Sequence, residues 1–399
     1  MQVGRAQGAV ILVAVLTCAT VVLVLGLGRS RGDDDFDRHN PGAITWRHEA
    51  ATIGGGGVFE ADQFAPMADR VFAIARRPLA PALDLEHGSL ISSTDGFLWA
   101  PVEGPIAAVS LNALTAIDGV AWAFGQVDGP VEPEHQVWRS EGGTSWDRVA
   151  GVSGLDFGKG EVWRVAGVGS TVVVLARDWI DVESHDGLIL RSDDGRDWEL
   201  VKQPRGPSYG LRSLDSGPAG FVITFAFEDP DGKSRGEAWH SLDGRTWTEH
   251  AIQTPRQGFN AFQAAGGPIG YSIVGLAADD PKRDWQPAAW TSPNGLVWQR
   301  GSTIDATGST TGVMHSIVSI NPGYLAFGNA GALDADGPAA WRSADGRQWA
   351  RLLDWPASLA PHESIDGAVV WNDRILVTGG ASDGTVPDQP VIWLGEPVD

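Results

Sequence analysis

Short runs of alternating apolar and polar residues recur from residue 44 to the end of the chain. Ile317-Val-Ser-Ile320 and Tyr324-Leu-Ala-Phe-Gly328 are joined by the turn Asn321-Pro-Gly323, and Ala340-Trp-Arg-Ser343 follows. Alternation of this length, bounded by Gly, Pro, Asn and Asp, predicts half-buried strands rather than helices. The same order returns in unit after unit, so each unit predicts four short strands, here a, b, c and d. Seven tryptophans mark the repeat: Trp46, Trp99, Trp146, Trp198, Trp247, Trp298 and Trp349 are separated by 53, 47, 52, 49, 51 and 51 residues.

Six of these tryptophans close a common block, Ser-x-Asp-Gly-x-x-Trp. It reads Ser93-Thr-Asp95-Gly-Phe-Leu-Trp99 in the first copy, Ser192-Asp-Asp194-Gly-Arg-Asp-Trp198 in the third and Ser241-Leu-Asp243-Gly-Arg-Thr-Trp247 in the fourth. The sixth copy carries Asp345, the fifth has Asn294 in place of the acid, and the second has Gly142-Gly143. Asp-Gly between two strand-like runs predicts a tight hairpin, with both residues at positive φ. Four antiparallel strands in about 50 residues describe a propeller blade, a unit that buries its faces only against its neighbours.

The block resembles the Asp-box (BNR) repeat of sialidase-type propellers, Ser-x-Asp-x-Gly-x-x-Trp on the turn between the third and fourth strands. The resemblance covers the chain after residue 43. Here the residue between acid and glycine is missing in every copy, so the fold carries over and the enzymatic activity does not.

Blade count follows from the ends. Pro390-Val-Ile-Trp-Leu394 reads as a c strand with no d strand after it, and Ile44-Thr-Trp46-Arg-His-Glu-Ala50 reads as a d strand with nothing before it. Seven c and seven d strands pair only if the N-terminal strand completes the C-terminal blade, which also removes an open edge. The expected fold is therefore all-β, a seven-bladed propeller over residues 44–399. A further five tryptophans, Trp138, Trp239, Trp290, Trp341 and Trp393, recur in c strands. All twelve read as packing between blades.

Residues 9–28 change the picture. Ala9 to Leu27 carries no charge, and at 1.5 Å per residue it is about 28 Å long, a hydrocarbon-core span. It is expected to be a retained signal-anchor after a short tail (1–8), with an acidic linker (29–43) and the propeller outside the cell membrane. Cleavage before Arg29, giving a secreted protein, is the alternative. The formal charge of -21 excludes nucleic acid as a partner, because that affinity rests on Lys and Arg neutralising phosphates. The single cysteine, Cys18, leaves the ring without disulfides or a cysteine metal site, and no cofactor is expected.

The d-to-a and b-to-c connections share one face of such a ring. The b-to-c loops are long and acidic, and the third, from Arg177 to Asp186, holds Asp178, Trp179, Asp181 and Glu183; the fifth holds Asp284 and Trp285. Trp355 lies in a d-to-a loop. Aromatic rings beside carboxylates suit sugars, the ring covering an apolar face while the acids accept hydroxyl protons. These residues are the expected ligand site, with a glycan or an exported envelope protein as partner. The alternative is a sialidase-like or other glycoside hydrolase. Its anion-binding set would be Arg205, Arg212 and Arg256 with Tyr209 and Glu161, although the arginine-isoleucine-proline signature of sialidases is absent.

Overall fold

Each predicted unit folds as an antiparallel sheet of its own. The computed structural model describes residues 44–54, 58–76, 88–129, 132–155, 160–179, 185–204, 210–228, 234–252, 258–278, 285–304, 311–331, 337–356, 358, 362–382 and 389–397. The apolar segment 9–28 and the linker 29–43 lie outside these residues. Among the described residues no helix is long and apolar enough to cross a membrane.

Seven sheets form an all-β, seven-bladed propeller. The inner a strands are Val58–Pro66, Ser110–Ile117, Glu161–Val168, Gly210–Gly217, Gly258–Gly267, Gly312–Ser319 and His362–Trp371. Each pairs with its b strand, for example Thr171–Trp179 in blade three, then c (His185–Ser192) and d (Glu199–Lys202). In the last sheet Gln389–Pro397 pairs antiparallel with Ile44–Ala50, from Ile44 opposite Pro397 to Ala50 opposite Val391.

Two blades have a fifth strand that alternation did not predict. Thr52–Ile53 runs parallel to the d strand of blade one, and Ser302–Ile304 runs parallel to that of blade six. Both segments leave one blade's d strand and cross to the next, so they reach the neighbour's open outer edge in the parallel sense and satisfy its backbone groups.

The Ser-x-Asp-Gly turns are built from side-chain hydrogen bonds. Asp95 Oδ1 accepts from Ser93 Oγ (3.0 Å) and from the Phe97 and Leu98 amides (2.8 and 2.9 Å), while Gly96 N donates to Ser93 Oγ (2.8 Å). The closing Trp99 Nε1 donates to Gly96 O (2.9 Å). Asp194 and Asp243 accept in the same way. Positive φ at both turn residues, expected from the Asp-Gly pair, is not what forms. Only the glycines enter that region, as at Gly195 (φ 74) and Gly244 (φ 71), because the acid works as an acceptor and needs no left-handed backbone.

The glycine is required a second time by the neighbouring blade. A Cβ on Gly195 would sit 2.4 Å from the Trp122 ring in the blade before it, and one on Gly244 would sit 2.6 Å from Val173. Each turn thus docks on its neighbour, and the apolar core lies between the sheets. One cluster joins Phe124 and Val137 of blade two to Val174 and Trp198 of blade three, and another joins Val222 and Ala238 of blade four to Phe259 and Trp290 of blade five.

Two sets of carboxylates give stability opposite pH slopes. The Arg196 and Asp197 amides hold Asp194 below its ordinary value of 3.8, and the Thr246 and Arg245 amides do so for Asp243. Stability from these turns is present above 3.8 and is lost as pH falls through the lowered values. Asp215, on the inner strand of blade four, is pushed by burial to about 7, while the Ser216 and Gly266 amides oppose the rise. Its contribution is present at acid pH and is lost as pH rises through about 7. Thermal melts should therefore show a maximum in the mildly acidic range. Replacing Asp215 with Asn should flatten the alkaline limb, and Asp243→Ala should lower the melting temperature with the largest loss above pH 4; this boundary reflects the ordinary value of 3.8.

Candidate functional site

The inner strands share an irregularity. In blades two to seven the a–b register shifts by one residue near the start of the a strand, leaving Asn112, Trp163, Arg212, Phe262, His315 and Asp366 as the extra residues, and blade one shifts between Phe59 and Phe64. A bulge re-aims its side chain, and seven at one level encircle one end of the ring. This is the end from which the d-to-a and b-to-c connections depart. Beyond it runs a central cavity of about 300 Å³ lined by all seven inner strands, Gln63, Arg164, Asp215 and Gln263 among its residues.

The residues after the bulges tie the blades together below the mouth. Gln63 Oε1 accepts from Leu114 N (3.0 Å) and its Nε2 donates to Trp163 O (3.3 Å). Ser213 Oγ accepts from Ala264 N (3.1 Å), and Gln263 Oε1 accepts from Ile317 N (2.8 Å). The mouth therefore rests on inner strands fixed by side-chain to backbone bonds across the blade seams.

Cationic groups gather in one quadrant. Arg177, opposite Glu161 in the a–b register, places its guanidinium carbon 3.6 Å from the Trp163 ring centroid, and Arg164 places its own at 4.5 Å. Burial lowers Arg177 to about 10; Glu161 works against the shift, and the charges of Arg164 and Arg212 add to it. Burial also lowers Arg212. Both remain cations at neutral pH. The Nε atoms of Arg177 and Arg212 are buried with no hydrogen-bond partner among the described residues. Glu161 Oε2 is engaged by Asn112 Nδ2 at 2.9 Å. A buried N–H without an acceptor costs about 1–3 kcal/mol, more when charged, and an anion supplies the missing acceptors.

The predicted residues divide. Arg212 and Glu161 belong to the mouth, and Asp178 follows Arg177 on the b strand, which continues to Trp179. Strand pairing reaches Asp178–Asp186 and Trp179–His185, so both ends of the expected third loop are strand. Trp285 is 46% exposed and covers Gly258, where a Cβ would lie 2.4 Å from the indole. Trp355 packs against Trp46 (4.8 Å), Trp393 (5.7 Å) and Phe327 (5.8 Å), between blades six and seven. A loop tryptophan beside an aromatic cluster gains more from burial than from solvent. Asp181, Glu183, Asp284, Arg205, Tyr209 and Arg256 lie outside the described residues, as does the Trp179 side chain.

Sequence reasoning missed Asn112, Trp163, Arg164 and Arg177. Trp163 carried a signal, since it stands at neither periodic tryptophan position. Arg177 reads as the first residue of a loop, and only the strand's extension to Trp179 sets it opposite Glu161.

No family model matches the chain, and no curated protein matches it. Among solved structures the fold is similar to the phage phi92 endosialidase, at 9% identity over 89% of this chain and 70% of that one, with a TM-score of 0.51. A protein of unknown function from Dyadobacter fermentans is 14% identical over 88% of this chain and 99% of that one, with a TM-score of 0.49. The polysaccharide lyase Uly1 is 10% identical over 85% and 90%, also at 0.49. At such identities the likeness shows the fold alone.

Proposed function

We propose that this chain is a binding module that holds an acidic glycan at the mouth of its channel. The observation that carries the reading is the gathering of Arg177 and Arg164 on the Trp163 ring with Arg212 close enough to act on Arg177, the Nε atoms of Arg177 and Arg212 having no hydrogen-bond partner among the described residues. Three guanidiniums supply donors for a carboxylate or sulfate, Trp163 supplies an aromatic ring, and Asn112 with Glu161 supplies hydroxyl partners. Glu161 acts as a positioning residue for the Asn112 amide, which favours binding over hydrolysis.

The apolar segment 9–28 is read as a signal-anchor that tethers the propeller outside the cell membrane by the linker 29–43. The strand Ile44–Ala50 is read as the element that closes the ring. Carbonate washing of membranes and protease protection in intact cells check the anchor: retention with an accessible propeller is expected, and a fully soluble protein beginning at Arg29 contradicts it.

The binding reading is tested by calorimetry of the chain from residue 38 against acidic and neutral oligosaccharides. Binding to acidic ligands is expected, and Arg177→Gln should weaken it about 10- to 100-fold, the loss of one charge-assisted contact, with a melt confirming that the variant folds. Equal affinity for neutral ligands, or an unaffected Arg177→Gln, overturns the proposal. Turnover of arylglycosides or sialosides would replace binding by hydrolysis.

A further inference from the structure

Beside the arginines of blades three and four, blades five and six present a surface of different chemistry. The Trp285 ring edge covers Gly258 with nearly half the residue's surface open, and its backbone oxygen accepts from Gly312 N (3.0 Å), which fixes the residue at the seam of the two blades. The bulge residues Phe262 and His315 meet edge to face at 5.1 Å. Burial lowers the His315 pKa, so the imidazole is neutral at pH 7. Asn260 Oδ1, on the same inner strand as Phe262, is buried with no hydrogen-bond partner among the described residues.

We infer that Trp285, Phe262, His315 and Asn260 form a second, uncharged subsite for the apolar face and a hydroxyl group of another sugar unit, so that the ligand is an acidic oligosaccharide rather than a single acidic sugar. The inference rests on the proposed binding function but makes a separate demand. An exposed indole seated on a glycine offers a flat ring face that needs no rearrangement before stacking. The Asn260 oxygen lacks a donor, which a sugar hydroxyl supplies. A neutral imidazole exchanges hydrogen bonds with hydroxyls and does not compete for the anion. Asn260 and Phe262 lie one blade from Arg212 and two blades from Arg177 and Trp163, so a ligand that engages both Arg177 and Trp285 spans blade four.

The experiment measures affinity against ligand length in three acidic series, uronate, sialate and sulfated oligosaccharides, at one, two, four and six units. In a series that binds, affinity should rise at least about tenfold between one unit and four, the equivalent of ~1.4 kcal/mol from a stacking contact and its hydrogen bond. Trp285→Ala should erase that rise, and Phe262→Leu, which keeps the apolar volume, should reduce it, with melts confirming that both variants fold. Affinity that is equal at all lengths overturns the second subsite and leaves the anion site standing. Length dependence that survives in both variants also overturns it. Binding in no acidic series overturns both readings.

Discussion

A chain beginning at residue 52 should aggregate or melt far below one beginning at residue 38. The shorter chain lacks Ile44–Ala50, so the backbone of Gln389–Pro397 becomes an open edge along seven paired positions. It also removes Trp46, whose ring meets Trp355 at 4.8 Å and Phe327 at 6.2 Å, and His48, stacked on Trp393 at 4.4 Å. Losing one large aromatic from a core costs roughly 3–5 kcal/mol, a large share of the ~5–15 kcal/mol that holds a domain. An unpaired edge further invites association between chains. Scanning calorimetry and light scattering on the two chains check this. Identical melts with no aggregation would mean the ring is held closed without the N-terminal strand.

Trp349→Ala should be the most damaging of the repeat tryptophan substitutions. Trp349 is fully buried, donates from Nε1 to Gly346 O (3.0 Å) and stacks on Tyr324 at 6.4 Å. Its removal opens a cavity at the seam of blades five and six, at a cost of roughly 3–5 kcal/mol, a fall on the order of 10 °C in melting temperature. Trp247→Ala should cost less, because Trp247 is only half-buried, although it keeps the same bond to Gly244 O (3.0 Å). Trp285→Ala should leave the melting temperature nearly unchanged, since nearly half of the residue is already open to solvent. Thermal melts of the three variants should rank Trp349, Trp247 and Trp285 from most to least damaging; a Trp285 variant as unstable as that of Trp349 would make the loop ring a blade cap.

What was legible in the sequence is what repeats. Tryptophans near every fiftieth residue and the Ser-x-Asp-Gly block specify sheets, turns and blade order, because one packing problem is solved seven times with the same residue types. The site is where the repeat stops. Bulges that bring Asn112, Trp163, Arg212, Phe262, His315 and Asp366 to one level are register shifts in the a–b pairing, and alternation read along one strand does not reveal a shift against its partner. Arg177 stayed hidden because its neighbours Asp178 and Trp179 look like loop. The acidic loops drew attention by composition, while the arginines, fewer and scattered over two blades, converge only once the ring is formed.

The decisive measurement is a structure of the propeller with a bound acidic oligosaccharide. The acidic group is expected against the guanidiniums of Arg177 and Arg212 beside Trp163, with the sugar chain running toward Trp285. A ligand seated elsewhere, on the Ser-x-Asp-Gly turns or in the groove beside Trp355, with the arginine cluster untouched, would contradict it.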